Sequence, residues 1–187
     1  DDSLPDEVQR RWLGYYAAVT EIDREVGRVL ARLEQLGQLD NTCIVYVADH
    51  GCALGHHGFF GKGNSTRPLN MYDISLRVPL IVRGPAVPRG QRVGEHVDHY
   101  DLFQALAEWG GIPECIRRDP ARHYPGKSLA PLATGERVPD WDNTRFGEYG
   151  DLRMIRTPRH KLVKRYPGGP HEFFDLVEDP GETVNLF

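Results

Sequence analysis

The sequence predicts an α/β fold in which a mostly parallel sheet is flanked by helices, followed by a small antiparallel, β-rich part. Three observations carry this expectation. A long stretch of helical periodicity leads into the short, almost wholly apolar segment Thr42–Ala48. A second apolar segment, V-P-L-I-V-R at Val78–Arg83, closes at Gly84-Pro85. Beyond about residue 140, short extended runs alternate with turn residues. A nearly continuous apolar strand is the pattern of a strand covered on both faces, as parallel strands are.

Taken in order, the first element is a helix over Pro5–Leu36. Trp12, Tyr15, Tyr16, Val19, Ile22, Val26, Val29, Leu30 and Leu33 recur at the three-and-four spacing of an amphipathic helix. Ser3 is placed to cap it, with Pro5, Asp6 and Glu7 in the first turn and Gly37 as the stop. Asp40-Asn41 turns the chain into the strand Thr42–Ala48, where Ile44, Val45 and Val47 are β-branched. The stretch Asp49–Ser75 is long, glycine-rich and polar, the character of a functional loop. After the strand at Val78–Arg83, a short helix is expected over Asp101–Trp109, ended by Gly110-Gly111. Ile112–Asp142 has little periodicity and reads as a connecting excursion. Phe146–Tyr149, Leu152–Arg156, Lys161–Tyr166 and Glu172–Leu176 then form a meander. The expected division is 1–140 for the α/β part and 141–187 for the β-rich part.

The bulk numbers narrow the function classes. A chain of 187 residues is long enough for a real core. Its net charge of −4 is the opposite of a nucleic-acid footprint, so no nucleic-acid partner is expected. No apolar run approaches the ~20 residues needed to span a bilayer. The three cysteines, Cys43, Cys52 and Cys115, form neither a C-x-x-C pair nor a zinc spacing and are expected to be buried or incidental thiols.

The residues suited to chemistry cluster where the first strand ends. Ligands of open α/β sheets sit outside the carboxyl ends of the strands. Asp49 offers oxygen ligands to a hard divalent cation, and His50 offers an imidazole beside it. A second reading makes Asp49 a turn cap and His50 a surface residue. Lys62, thirteen positions past Asp49 and flanked by Gly61 and Gly63, can return a positive charge to the same crevice for a tetrahedral oxyanion. The other reading is a solvated lysine. His56 and His57 are vicinal, so at most one is expected to face the site; Asn64, Ser65, Thr66 and Arg67 either touch substrate or hold the loop. The run His96-Val97-Asp98-His99 has the look of a metal triad, but an acid near a helix start is ordinary helix chemistry, and that reading is preferred.

The order of these features resembles the sulfatase family of the alkaline-phosphatase-like superfamily. The likeness runs through Tyr15–Val19, Ile22-Asp23, Val26-Gly27 and Leu33, then Val47–Gly51, Leu54–Gly58 and Gly61–Gly63, then Ser75–Val82. It continues at Met154–Thr157, His160–Leu162, Phe174–Leu176, Asp179–Glu182 and Asn185-Leu186. The resemblance implies an alkaline-phosphatase-like sandwich. It also implies that Asp49 and His50 ligate a divalent metal, probably calcium as is usual in the family, and that Lys62 is a catalytic and substrate-binding residue holding a sulfate oxygen. The family's nucleophile is a formylglycine made within a C/S-x-P-x-R motif, and none of the three cysteines begins one. The chain is therefore expected to be the C-terminal portion of a sulfatase, with the formylglycine and the N-terminal half of the domain upstream. The expected activity is hydrolysis of a small-molecule or carbohydrate sulfate ester. The alternatives are a phosphodiesterase or phosphonate monoester hydrolase of the same superfamily, or a non-catalytic anion-binding module. The resemblance alone points to a periplasmic or secreted setting.

Overall fold

The computed structural model describes residues 6–63, 66–117 and 125–187. The chain divides into two compact units, Asp1–Pro85 and Ala86–Phe187.

The first unit opens with helix α1 (Asp6–Gln35); the proposed Ser3 cap lies outside the described residues. Asp6 and Glu7 occupy its first turn and Arg32 its last, the charge order the helix dipole favours. At its end Gly37 takes φ 65°, and paired bonds from Gly37 N–H to Glu34 O and from Gln38 N–H to Leu33 O close a Schellman cap. A single 3₁₀ turn, Leu39–Asn41, leads to strand β1 (Ile44–Val47). Two very short strands follow, β2 (Ala53–Leu54) and β3 (Phe60–Gly61), then a one-turn helix α2 (Asp73–Leu76) and strand β4 (Leu80–Arg83).

β1 and β4 pair antiparallel, from Ile44↔Arg83 to Val47↔Leu80. This corrects the expected direction, since every strand pair among the described residues is antiparallel. It also corrects the expected burial. Tyr46 and Val47 are each 37% exposed and Ile81 61% exposed, and no residue of α1 is buried. Apolar composition records that a strand face is meant to be covered; it does not encode the direction of the neighbour. The Arg83 guanidinium donates to Leu39 O at 2.7 Å and to an Asp40 carboxylate oxygen at 3.1 Å, tying the end of β4 to the turn before β1.

The second unit contains helices α3 (His99–Trp109), α4 (Glu114–Arg117) and α5 (Ala130–Ala133). They are followed by β5 (Arg145–Tyr149), β6 (Leu152–Arg156), β7 (His160–Arg165) and β8 (Glu172–Asp175). The four strands form one antiparallel sheet in sequence order, as the meander predicted. Alternate residues Leu152, Met154, Val163 and Phe174 are buried, as are Leu102 and Ala105 of α3 and Ala130, Leu132 and Ala133 of α5. On the same face of β7 as Val163 lies Lys161, 0% exposed, whose ammonium is 2.6 Å from the buried Glu182 carboxylate. The outer edge of β8 is covered by the chain's own end. Leu186 N–H donates to Phe173 O, and the Asn185 side chain bonds both Phe173 N–H and His171 O. An edge paired in this way cannot recruit another strand.

The H-V-D-H run proves to be helix entry. Asp98 is the N-cap of α3, accepting from the Tyr100 and Asp101 N–H groups, while Asp101 reciprocates to the Asp98 N–H in a capping box. The helix thus starts at His99 rather than Asp101. Asp101 also accepts from Lys127 N–H at 2.8 Å and from Arg145 at 3.0 Å. Gly126 permits this approach, because a Cβ there would stand 2.4 Å from the Tyr100 carbonyl carbon. Burial pushes the Asp101 carboxyl up, and the neighbouring Asp98 charge adds to the shift; the Lys127 N–H and Arg145 work against it.

Candidate active site

The last recorded pair of the β1–β4 ladder is Val47↔Leu80, and the next residue on the β4 side is Pro79, which has no N–H to continue it. The chain leaves the sheet there and presents Asp49 and His50 one and two residues past Ala48. The Asp49 side chain is 87% exposed. One of its oxygens accepts from the His50 N–H at 3.0 Å, and the other lies 3.5 Å from His50 Nε2. His50 Nδ1 is 2.9 Å from Gly51 O. A carbonyl can only accept, so Nδ1 carries the proton, and in the neutral ring the Nε2 lone pair faces the Asp49 carboxylate. Ligating histidines are oriented in this way, by giving the other N–H to a carbonyl. Two ligands about 2.4 Å from one hard cation and at right angles stand about 3.4 Å apart. The Oδ2–Nε2 separation matches that spacing, so these two residues fit one corner of a divalent site. Among the described residues no group of three or more His, Cys, Asp or Glu converges.

Lys62 directly follows a short hairpin within the stretch that the sequence reads as a functional loop. β2 and β3 pair at Ala53↔Gly61 and Leu54↔Phe60, and Gly55 N–H donates to Phe59 O in the same register. The ladder ends at Ala53↔Gly61, so Lys62 is the first residue past its last pair. The hairpin is anchored on α1. Trp12 Nε1 donates to Leu54 O at 2.7 Å, and the Arg11 guanidinium lies over the Phe60 ring at 5.0 Å. His56 and His57 hold the tip. His56 Nδ1 accepts from Leu54 N–H, and His57, at φ 54°, stacks on Tyr72 with ring centroids 3.7 Å apart. The Arg67 guanidinium donates to Thr66 O. Asn64 and Ser65 lie outside the described residues.

What the sequence reading missed is the segment beneath the hairpin. Gly51 N–H donates to Ser75 O at 2.9 Å, and a Cβ on Gly51 would stand 2.1 Å from Ile74 O. Gly63 is packed in the same manner, its would-be Cβ 2.9 Å from Asn70 O and 3.2 Å from Ser75 Cβ. The glycines that follow the D-H pair and Lys62 therefore both rest on residues 70–75. Thr66, Asn70 and Ser75 are buried, and the glycine-rich spacing was the signal that something approaches the loop closely. Of the cysteines, Cys43 and Cys115 are exposed and Cys52 is half-buried; all three are free.

The Sulfatase family model matches residues 2–112, more than half of the chain. The chain belongs to the sulfatase family. This sulfatase chain is 32% identical, over 92% of its length, to an N-acetylglucosamine-6-O-sulfatase of Bacteroides thetaiotaomicron, of which it covers 31%. It is 31% identical over 99% of its length to a choline-sulfatase of Rhizobium meliloti, covering 35% of that protein. It spans about a third of the length of these curated relatives. A solved structure of a protein in complex with its substrate D-glucosamine-2-N,6-O-disulfate aligns over 92% of the sulfatase chain and 35% of its own, at TM-score 0.72 and 30% identity. A phosphonate monoester hydrolase from Silicibacter pomeroyi aligns over 83% of this chain and 33% of its own, at TM-score 0.70 and 31% identity. The fold is thus the C-terminal portion of an alkaline-phosphatase-like domain.

Proposed function

We propose that the protein containing this chain hydrolyses sulfate esters, with Asp49 and His50 holding part of the shell of a divalent cation, calcium by family precedent, and Lys62 binding a sulfate oxygen. What supports the reading is the order of the elements: β1 ends just before the carboxylate and imidazole, and the β2–β3 hairpin turns the chain back just before the lysine. When bound, the cation would supply positive charge to the sulfate oxygens, and an upstream formylglycine the nucleophile. Asp49 orients its carboxylate through the His50 N–H, and His50 leaves Nε2 available as a ligand atom by donating Nδ1–H to Gly51 O. Lys62 contributes a fixed ammonium that offsets charge on a sulfate oxygen and on the departing ester oxygen, the kind of preorganised charge that lowers a transition state.

The remaining ligands and the nucleophile are assigned to an N-terminal half of the same domain. The relatives' length supports this, since this chain covers only about a third of them. So does the bare apolar surface of α1, where Leu13, Tyr16, Val19, Ile22 and Val29 are exposed. Candidate substrates are carbohydrate or small-molecule sulfates, in line with the relatives' names. A phosphonate or phosphate ester is the second reading, supported by the Silicibacter pomeroyi neighbour.

The test is a substrate panel on the full-length protein. Sulfate esters should be turned over in preference to phosphate and phosphonate esters, and Lys62→Ala should cost about 10²-fold or more in kcat. Preference for phosphonates would select the second reading. Metal binding without turnover of any ester would select the non-catalytic module. The 187 residues alone should be inactive, and sulfate release by them would refute the shared-site reading.

A further inference from the structure

Asn70 is 4% exposed, yet it lies in a polar, glycine-rich stretch that would ordinarily face water. Buried amides in loops are retained where their hydrogen bonds are met. Asn70 makes three such bonds. Its Nδ2 donates to Thr66 Oγ1 at 2.8 Å, its Oδ1 accepts from Tyr72 N–H at 3.3 Å, and its own N–H donates to Gly63 O at 3.4 Å. Thr66 is buried as well, and its hydroxyl lies 3.1 Å from the same Gly63 carbonyl and 2.8 Å from Pro68 O. The Thr66 hydroxyl and the Asn70 main-chain N–H therefore converge on the carbonyl of the residue directly after Lys62, and the Asn70 side chain reaches it through Thr66. The missing side chain of Gly63 is what allows the Asn70 backbone to come so near.

We propose that Asn70 is a positioning residue for Lys62. Its side chain acts through the Thr66 hydroxyl, which lies on the Gly63 carbonyl, and touches no substrate. The inference rests on the reading of Lys62 as the sulfate-binding cation. The physical reason lies in the lysine itself. Its stem has four rotatable carbons, so the ammonium reaches one place reproducibly only if the Cα and the following peptide are held. On the other arm, Gly51 N–H on Ser75 O fixes the residue after His50. Residues 66–75 thereby hold the cation-binding end and the lysine end at a constant separation. Misplacement of a catalytic group by about 1 Å can cost on the order of 10²-fold in rate.

The experiment is a double-mutant cycle in the full-length enzyme with Lys62→Ala, Asn70→Ala and the pair, assayed on 4-nitrophenyl sulfate and on an alkyl sulfate with a poorer leaving group. Asn70→Ala should lower kcat about tenfold, more on the alkyl ester than on the aryl ester. In the Lys62→Ala background the same change should cost less than about twofold, because the group it positions is already gone. An equal loss in both backgrounds, or a wild-type kcat for Asn70→Ala, would overturn the proposal. Should Asn70→Ala fail to fold, Asn70→Asp keeps the acceptor for Tyr72 N–H, and Gly63→Ala displaces the same carbonyl sterically; either carries the cycle with the same expected result. If the wild-type enzyme turned over no sulfate ester, or Lys62→Ala were fully active, the reading of Lys62 would fail first, a result distinct from additivity.

Discussion

The two units solve the burial problem in opposite ways. In Ala86–Phe187 the regular elements make the core: alternate strand residues such as Leu152 and Val163 are sealed, and even Lys161 is enclosed once Glu182 neutralises it. In Asp1–Pro85 the longer regular elements, α1, β1 and β4, are the bare part. No residue of α1 is buried, Ile81 of β4 stands largely in solvent, and the enclosed residues are Ala53, Thr66, Asn70, Met71 and Ser75. They lie in or under the loop that follows Asp49. The contrast teaches that, in the unit carrying the candidate site, burial is concentrated around the loop after Asp49, while the helix and the strand pair present faces suited to a covering partner.

Four substitutions would break or sharpen that contrast. The largest effect is expected for Lys161→Ala, which removes the ammonium that faces the buried Glu182 carboxylate in the core. A loss of about 3–5 kcal/mol is expected in urea unfolding, and replacing both residues with apolar ones should recover most of it. Next is Gly51→Ala, where the new methyl meets backbone at 2.1 Å. Overpacking of this kind costs about 1–3 kcal/mol, and thermal melts of the 187-residue chain should show it.

Asp175→Asn tests the acid side of the second unit. The Arg159 guanidinium on its carboxylate, helped by the Val177 and Glu178 N–H groups, holds the carboxyl below the usual carboxylate range. Its stabilisation is therefore fully present above the unfolded value of about pH 4 and is lost as pH falls through the folded value. Wild type should melt higher than the variant at neutral pH, and the two curves should converge at the acid end. A constant offset at all pH values would contradict this. The smallest effect is expected for Val19→Ser on the exposed face of α1, within about 0.5 kcal/mol in the chain by itself. A larger loss there would mean that α1 is already covered, against the comparison drawn above.

Much of this arrangement was legible in the sequence, for identifiable reasons. α1 and its glycine stop follow from spacing that only a helix rewards. β1, β4 and the terminal meander follow from apolar runs bounded by turn residues. Asp49, His50 and Lys62 stood out because charged groups punctuate an apolar strand end and a glycine-flanked turn. The antiparallel pairing of β1 with β4 was hidden, because composition reports coverage and not direction. The β2–β3 hairpin escaped because two-residue strands carry no periodicity. The sequence leaves Thr66 between touching substrate and holding the loop and singles out neither Asn70 nor Ser75, since the local pattern of a polar residue is the same whether it bonds water or a buried carbonyl. Lys161 was readable in principle: it shares the period-two face of Val163 and Arg165.

The β2–β3 ladder also bears on how such sequences can vary. Extra residues inserted at the tip, between Gly55 and Gly58, would lengthen the finger and leave its base untouched. Deleting one residue from either arm would slide the pairing by a step and turn Lys62 to the opposite side of the ribbon. Length changes among natural variants of this chain should therefore collect at the fingertip and be missing from the arms.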